Sequence, residues 1–394
     1  MLEEKLERSI EQSAAALTAM ADDFFDHPEV GLQEFHAFET LTGWLEKEGF
    51  TVERGIAGMK TAFRAVWKHG EGGPNIGLLC EYDALAGLGH ACGHHMQGPA
   101  ILGAAKALKD AAIDAPYTIT VYGTPAEETI SGKVVMLENG CTFEELDVAL
   151  MMHGGPATQV KSLALNKLKI IYHGVCSHAA LKPEKGRSAL DGLILACQGV
   201  EFLREHVPSD VRMHYTIVNC GGTAANVVSG YAEASMYVRS YSRTELDGVV
   251  ARVKKVLQGA AMMTETEVEI IEEKSLDNKI PVLSLNELVM EQAEKVKAPC
   301  IRPARQKTGS TDFGNVMRHV PGTCIRVAFV PEGAAAHSQE YLDAGKTEAA
   351  HDAVVYGAKI LALTGVQLIE DPEKLEVIKK EFHENLAQEL HGQS

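Results

Sequence analysis

The sequence predicts an α/β protein whose mostly parallel central sheet, with flanking helices, is interrupted by an inserted ferredoxin-like α+β domain. Three observations lead there. Short continuous apolar runs, such as Asn75 to Cys80 and Val148 to Met152, suit strands buried on both faces. From Leu163 the strands alternate as if half exposed, in the β-α-β-β-α-β order of a ferredoxin-like unit. After Pro281 the α/β pattern resumes. The expected division is 1–162 and 279–394 for the two parts of one domain and 163–278 for the insertion. A length of 394 residues is long for a single core, in keeping with that division.

In chain order, Leu2, Leu6, Ile10, Leu17, Met20 and Phe24 fall on one helical stripe, read as core packing. Asp26-His27-Pro28-Glu29 interrupts it, and a second helix runs from Glu34 to Gly49, its C-cap; His27 and His36 read as structural or exposed. Strands follow at Thr61 to Trp67 and Asn75 to Cys80, then a helix from Pro99 to Asp110. Further strands fall at Tyr117 to Tyr122 and Val148 to Met152. The insertion carries strands at Leu163 to Tyr172, Met213 to Cys220, Ala232 to Ser240 and Glu267 to Glu272. Its helices are Ser188 to Glu205 and Arg243 to Ala260. The final segment holds a strand at Gly322 to Val330 and a helix from Thr347 to Leu363, followed by an acidic tail whose His383 and His391 read as inert.

Composition narrows the function. The hydrophobic share of 45% and charged share of 23% are those of an ordinary globular chain. A net charge of -17 argues against nucleic acid or an anionic membrane as partner. No apolar run reads as long enough to span a bilayer, and the N-terminus lacks a signal-peptide pattern. Eight scattered cysteines form no paired framework, so a reducing, cytoplasmic setting is expected.

The strand ends carry the chemistry. Gly89-His90-Ala91-Cys92-Gly93-His94-His95 follows the acidic run Glu81-Tyr82-Asp83 on a strand-to-helix loop. A thiolate and a neutral imidazole one residue apart suit a metal such as zinc; alone, the stretch reads equally as a His-rich loop with a buried cysteine. Glu127-Glu128 follows another strand; alone, it reads as an acidic first helical turn. A third strand ends at His153, and His337 follows the late strand. Together Cys92, His94, Glu127, Glu128, His153 and His337 offer enough donors for two cations sharing a bridging group. Such a pair activates a shared water and clamps an oxyanion. One glutamate would bind metal while its neighbour takes the water's proton.

These blocks, with Gly123 to Glu128, Gly309-Ser310-Thr311-Asp312-Phe313-Gly314 and His337-Ser338, resemble the M20 family of metallopeptidases and amidohydrolases. More narrowly they resemble its branch of aminoacylase-like and p-aminobenzoyl-glutamate hydrolase-like enzymes. The resemblance runs in order over nearly the whole chain. It implies a dinuclear hydrolase of the amide bond in small N-acyl amino acids or dipeptides, with zinc or manganese, or cobalt, as cofactor. Cys92, His94, Glu128, His153 and His337 resemble the metal ligands, Cys92 as the bridge, and Glu127 the general base. Asp83 resembles the acid that orients a ligand imidazole.

In the insertion, His178 resembles a residue that reaches a partner subunit's site to stabilise the oxyanion, and Asn226 a substrate-binding asparagine. Arg239 also falls on a family position; a strand arginine can equally pair with a carboxylate. A homodimer through the insertion, acting as dimerisation and lid domain, follows if its exposed strand edge pairs with a second copy. His95 departs from the asparagine or aspartate more usual after Cys-Gly-His and raises the question of which imidazole faces metal. No clear basic residue for a substrate carboxylate stands out, Lys274 lying nearest the right region.

Aminoacylase and dipeptidase activity are not separable from these residues. A silent binding protein of the same fold would have lost the base or a ligand. A structural zinc site would be closed by four ligands and need no adjacent base.

Overall fold

The computed structural model describes residues 2–156, 158–299, 304–305 and 307–391. Its strands, in chain order, are β1 (Thr51–Arg54), β2 (Phe63–His69), β3 (Asn75–Cys80), β4 (Tyr117–Gly123), β5 (Val148–Gly154), β6 (Ala164–His173), β7 (Ser177–His178), β8 (Arg212–Asn219), β9 (Val227–Val228), β10 (Tyr231–Ser240), β11 (Glu267–Leu276) and β12 (Gly322–Val327). The chain divides into two compact units. One joins Met1–Lys161 to Lys279–Ala387; the other is Ser162–Asn278 with the end of the last helix from Gln388.

The first unit is built on a sheet of order β1-β2-β4-β3-β5-β12. β4, β3, β5 and β12 run parallel, and β1 and β2 join antiparallel at one side. Alternate residues of the parallel strands enter opposite layers. Leu78, Val121, Leu150 and Ile325 face one core, while Leu79, Tyr122, Met151 and Cys324 face the other with Phe143 and Phe313. Burial on both faces is why these strands read as unbroken apolar runs.

Helices Leu2–Asp26, Gln97–Ala111 and Glu348–Glu370 share the first core. They pack closely because Gly103 lies against Leu17 and Ala358, where a Cβ would come within 2.9 Å of the Ala358 Cβ. Glu348–Glu370 corrects one expectation: at 23 residues it is long and apolar enough to cross a membrane by length and composition. Its apolar surface is accounted for by packing, since 72% of its most apolar stretch is buried inside the protein.

Several short or irregular elements escaped the sequence reading, and three of them shape the first unit. β1 is a short edge strand with mostly exposed residues, so it has no apolar pattern. Helix Leu283–Lys295 lies in the resumed α/β segment, and helix Pro372–His391 forms the acidic tail, with proline opening its first turn.

The second unit has a four-stranded antiparallel sheet of order β11-β6-β10-β8. Helices Ala189–Leu203 and Arg243–Thr264 share its core with Leu168, Ile170, Ala234 and Met236. This is the ferredoxin-like arrangement that the element order predicted. A separate two-stranded ribbon pairs β7 with β9.

Candidate active site

The four parallel strands of the first unit end at one edge of the sheet, where open α/β sheets bind ligands. β3 releases Glu81 and Asp83, then the loop to Cys92 and His94. Gly93 stands between those two donors at φ 91°, a left-handed turn that lets them face the same side. After β4, Ala126 adopts φ 62° and starts the short helix at Glu127. His153 lies inside β5, which continues to Gly154 rather than ending at Met152 as expected, because β12 pairs with it that far. His337, at φ 63°, sits in the loop after β12, its N–H bonded to the Ala91 carbonyl at 3.0 Å. Left-handed backbone at residues other than glycine is costly and gathers at functional sites.

These segments bring the expected donors together. Cys92 Sγ and a ring nitrogen from each of His94 and His153 lie within 4.8 Å of one another; so do donor atoms of Cys92, Glu128 and His337. Cys92 is common to both groups. His94 also joins Glu127 and Glu128 at the same spacing. Cys92 Sγ is 3.7 Å from His153 Nε2, and His337 Nε2 is 3.0 Å from Glu128 Oε1.

The rings are held from behind. His94 Nδ1 is 3.0 Å from the Asp83 carbonyl and 3.2 Å from its Oδ1, and His153 Nδ1 is 2.7 Å from the Gly154 carbonyl. Both Nε2 atoms are left toward the donor cluster, as in metal-binding histidines with an outer partner. Soft sulfur, imidazole and carboxylate donors in two overlapping groups fit a pair of borderline divalent cations.

His95 turns the other way. Its Nε2 donates to the Gly345 carbonyl at 2.8 Å, and its ring meets Phe25 edge-on at 5.1 Å. Burial holds its pKa down at about 4, so it is a neutral core imidazole.

Behind the donors lies a buried ionic network that sequence reasoning missed. Lys133, fully buried, pairs with Glu81 and with Asp312 Oδ1 at 2.7 Å. Glu81 Oε2 also accepts from Gln97 at 2.7 Å and lies 3.4 Å from His94 Nε2. Carboxylate oxygens of Glu81, Glu127 and Asp312 lie within 4.8 Å of one another. Glu81 and Asp312 stood in the quoted motifs without a role; Lys133 has no periodicity or spacing to betray it.

Electrostatics separates the two adjacent glutamates. Burial, then Asp312, Glu81 and Glu128, push the Glu127 carboxyl well above the usual range. Burial also raises Glu128, but His337 and His94 outweigh it and hold Glu128 low. The neighbouring Cys92 and Glu128 hold His337 up at about 10. Burial and Arg326 keep His153 neutral.

The donors line a cavity of about 280 Å³ that also receives Lys279, Arg305 and Arg326. Arg326 Nη1 donates to the Gly154 carbonyl at 3.1 Å, beside His153. It was legible in principle, as the one charge within the apolar run Gly322 to Val330.

The remaining expected residues belong to the second unit. His178 is exposed on β7 opposite Val227, and Asn226, also exposed, accepts from the Ala179 N–H at 2.9 Å. Arg239 lies on β10 over the Tyr237 ring, 5.5 Å from its centre, and Lys274 is on β11.

Residues 78–364 match the family profile described as Peptidase family M20/M25/M40. The Xaa-Arg dipeptidase of Mus musculus is 34% identical over 408 residues, covering 99% of this chain and 94% of its own. One of the subunits of the p-aminobenzoyl-glutamate hydrolase of Escherichia coli (strain K12) is 30% identical over 457 residues, covering 96% of this chain and 94% of its own. A Bacillus subtilis structure described as a dinuclear metal binding peptidase from the M20 family superposes with a TM-score of 0.70 at 21% identity, covering 91% of this chain and 99% of its own.

Proposed function

We propose, from the premise that this chain belongs to peptidase family M20/M25/M40 and is an amide-bond hydrolase, that it cleaves small N-acyl amino acids or dipeptides with Glu127 as general base. The observation carrying this reading is the convergence of Glu127 with Cys92, His94, Glu128, His153 and His337 in one cavity.

Cys92, His94, His153, Glu128 and His337 would hold two divalent cations, with Cys92 common to both. Cations so held supply an activated water and polarise the scissile carbonyl. The chain does the rest. Asp83 and the Gly154 carbonyl fix the ligand rings. Glu127 takes the proton of the attacking water and returns it to the departing amine. A carboxyl with raised proton affinity suits both transfers. Lys279, Arg305 and Arg326, lining the same cavity, suit a substrate with a free carboxylate, which both substrate classes carry.

The relatives' names favour two substrate types, dipeptides ending in arginine and p-aminobenzoyl-glutamate. In the second unit, β8 is a sheet edge with Ile217 and Val218 exposed, which supports pairing with a second copy. His178, Asn226 and Arg239 would then serve substrate binding, His178 across that dimer. A cytoplasmic setting belongs to the same reading.

The test is a panel of Xaa-Arg dipeptides, N-acyl amino acids and p-aminobenzoyl-glutamate, assayed with zinc, manganese or cobalt. Glu127→Gln should keep its metal and lose turnover by about 10²–10⁴-fold. Full activity in that variant would remove Glu127 as base.

A further inference from the structure

We infer that Glu34 is a positioning residue for Glu127, holding the left-handed turn from which that carboxylate is aimed. The inference rests on the reading of Glu127 as base.

Glu34 is fully buried, at 0% exposure, at the start of helix Phe35–Lys47. A buried carboxylate is costly and needs partners for both oxygens. Its Oε1 accepts the backbone N–H of Ala126 at 2.8 Å, and its Oε2 accepts Thr61 Oγ1 at 3.1 Å. Ala126 immediately precedes Glu127, and its φ of 62° is one that a residue with a Cβ adopts only when its surroundings impose it. The Glu34 bond engages the N–H at that position.

A second observation points to the same strut. Gly31 abuts this turn: a Cβ there would lie 2.1 Å from Thr129 Oγ1 and 3.0 Å from the Ala126 Cα. The segment is also tied to the loop that leaves β3, through the Ala84 N–H donating to the Glu29 carbonyl at 2.7 Å. Residues 29–34 therefore brace the strand exit at Asp83-Ala84 and the turn at Ala126-Glu127 together.

The hydrogen bonds to the Glu34 carboxylate come from Ala126 and Thr61, neither of them a candidate metal donor. Its loss should displace the base more than the ligands, and misplacement by about 1 Å can cost about 10²-fold in rate.

The test uses the full-length enzyme loaded with manganese, assayed on Ala-Arg and on p-aminobenzoyl-glutamate, with Glu34→Ala, Glu34→Asp, Glu34→Gln and Glu127→Gln. Glutamine keeps the length and an oxygen to accept the Ala126 N–H, and Thr61 can accept from its amide. We expect Glu34→Gln to retain kcat within about threefold, and Glu34→Ala and Glu34→Asp to lose about 10–10²-fold in kcat. KM and bound manganese should hold in all three. Should Glu34→Ala fail to fold, the Asp and Gln pair decides. Unchanged kcat in Glu34→Asp, equal losses in Gln and Asp, or parallel losses of manganese and kcat would each overturn the inference. An active Glu127→Gln would instead remove the reading beneath it.

Discussion

The carboxylate of Asp83 lies 3.2 Å from the Nδ1 of His94, while its other oxygen accepts the backbone N–H of Glu128 at 2.9 Å. One buried side chain thus sets the ring of one candidate ligand and the main chain of another. Asp83→Asn leaves one oxygen for these two donors. Partners of this kind typically contribute 10–100-fold to metal affinity. We expect a loss of about that size in a chelator competition titration, with the fold retained by circular dichroism. Unaltered affinity would remove Asp83 from the metal site.

Glu34 ties stability to pH. Burial pushes its pKa from 4.5 up to about 7, with Asp83 adding to the rise. The folded protein therefore holds a proton at Glu34 that the unfolded chain releases. This contribution is fully present below about 4.5 and is lost as pH rises to about 7, where both states are ionised. Glutamine does not titrate. In urea melts from pH 4 to 8, the stability of Glu34→Gln relative to wild type should climb between those values and level off above. Parallel pH profiles would remove the assignment.

The fold was legible because the physics behind it is local. Val148 to Met152 shows two-sided burial as an unbroken apolar run, and β10 shows one-sided burial as strict alternation. The candidate donors were legible because each follows an apolar strand, and few residue types bind metal. Lys133 and Glu34 were not, because their role exists only once distant segments meet. Lys133 reaches Glu81 across 52 positions and Asp312 across 179, and Glu34 reaches Ala126 across 92. Nothing in the spacing of a buried charge announces its partner. Arg326 was the exception, a charge in an apolar strand that could have been flagged.

His95 answers a question the sequence posed. Its Nε2–H is bound to the Gly345 carbonyl, and its ring packs against Phe25, so it belongs to the core and stands apart from the donor cluster that His94 joins. His95→Asn should keep the full metal content and cost about 1–3 kcal/mol, the range for a buried carbonyl left without its donor. Metal analysis by mass spectrometry with a urea melt checks both. Loss of one metal equivalent would place His95 among the ligands.

Lys133 is the cation on which the acidic floor of the site depends. Its ammonium, with no exposed surface, lies between Glu81 and Asp312, whose side chains are 3% and 0% exposed. Burial alone would drive both carboxylates toward protonation. Glu81 instead stays ionised because Lys133, His94 and His153 outweigh that cost. Lys133→Met fits the space but leaves both acids beside Glu127 with no lysine between them. Removing one member of a buried ion pair costs about 3–5 kcal/mol. In metal-free protein, where cations cannot compensate, urea unfolding should show a loss of that order. Its size should shrink as pH falls and the acids take up protons. A loss below about 1 kcal/mol at neutral pH would mean that the network contributes little to the fold, and that Glu81 and Asp312 are kept in place by their backbone alone.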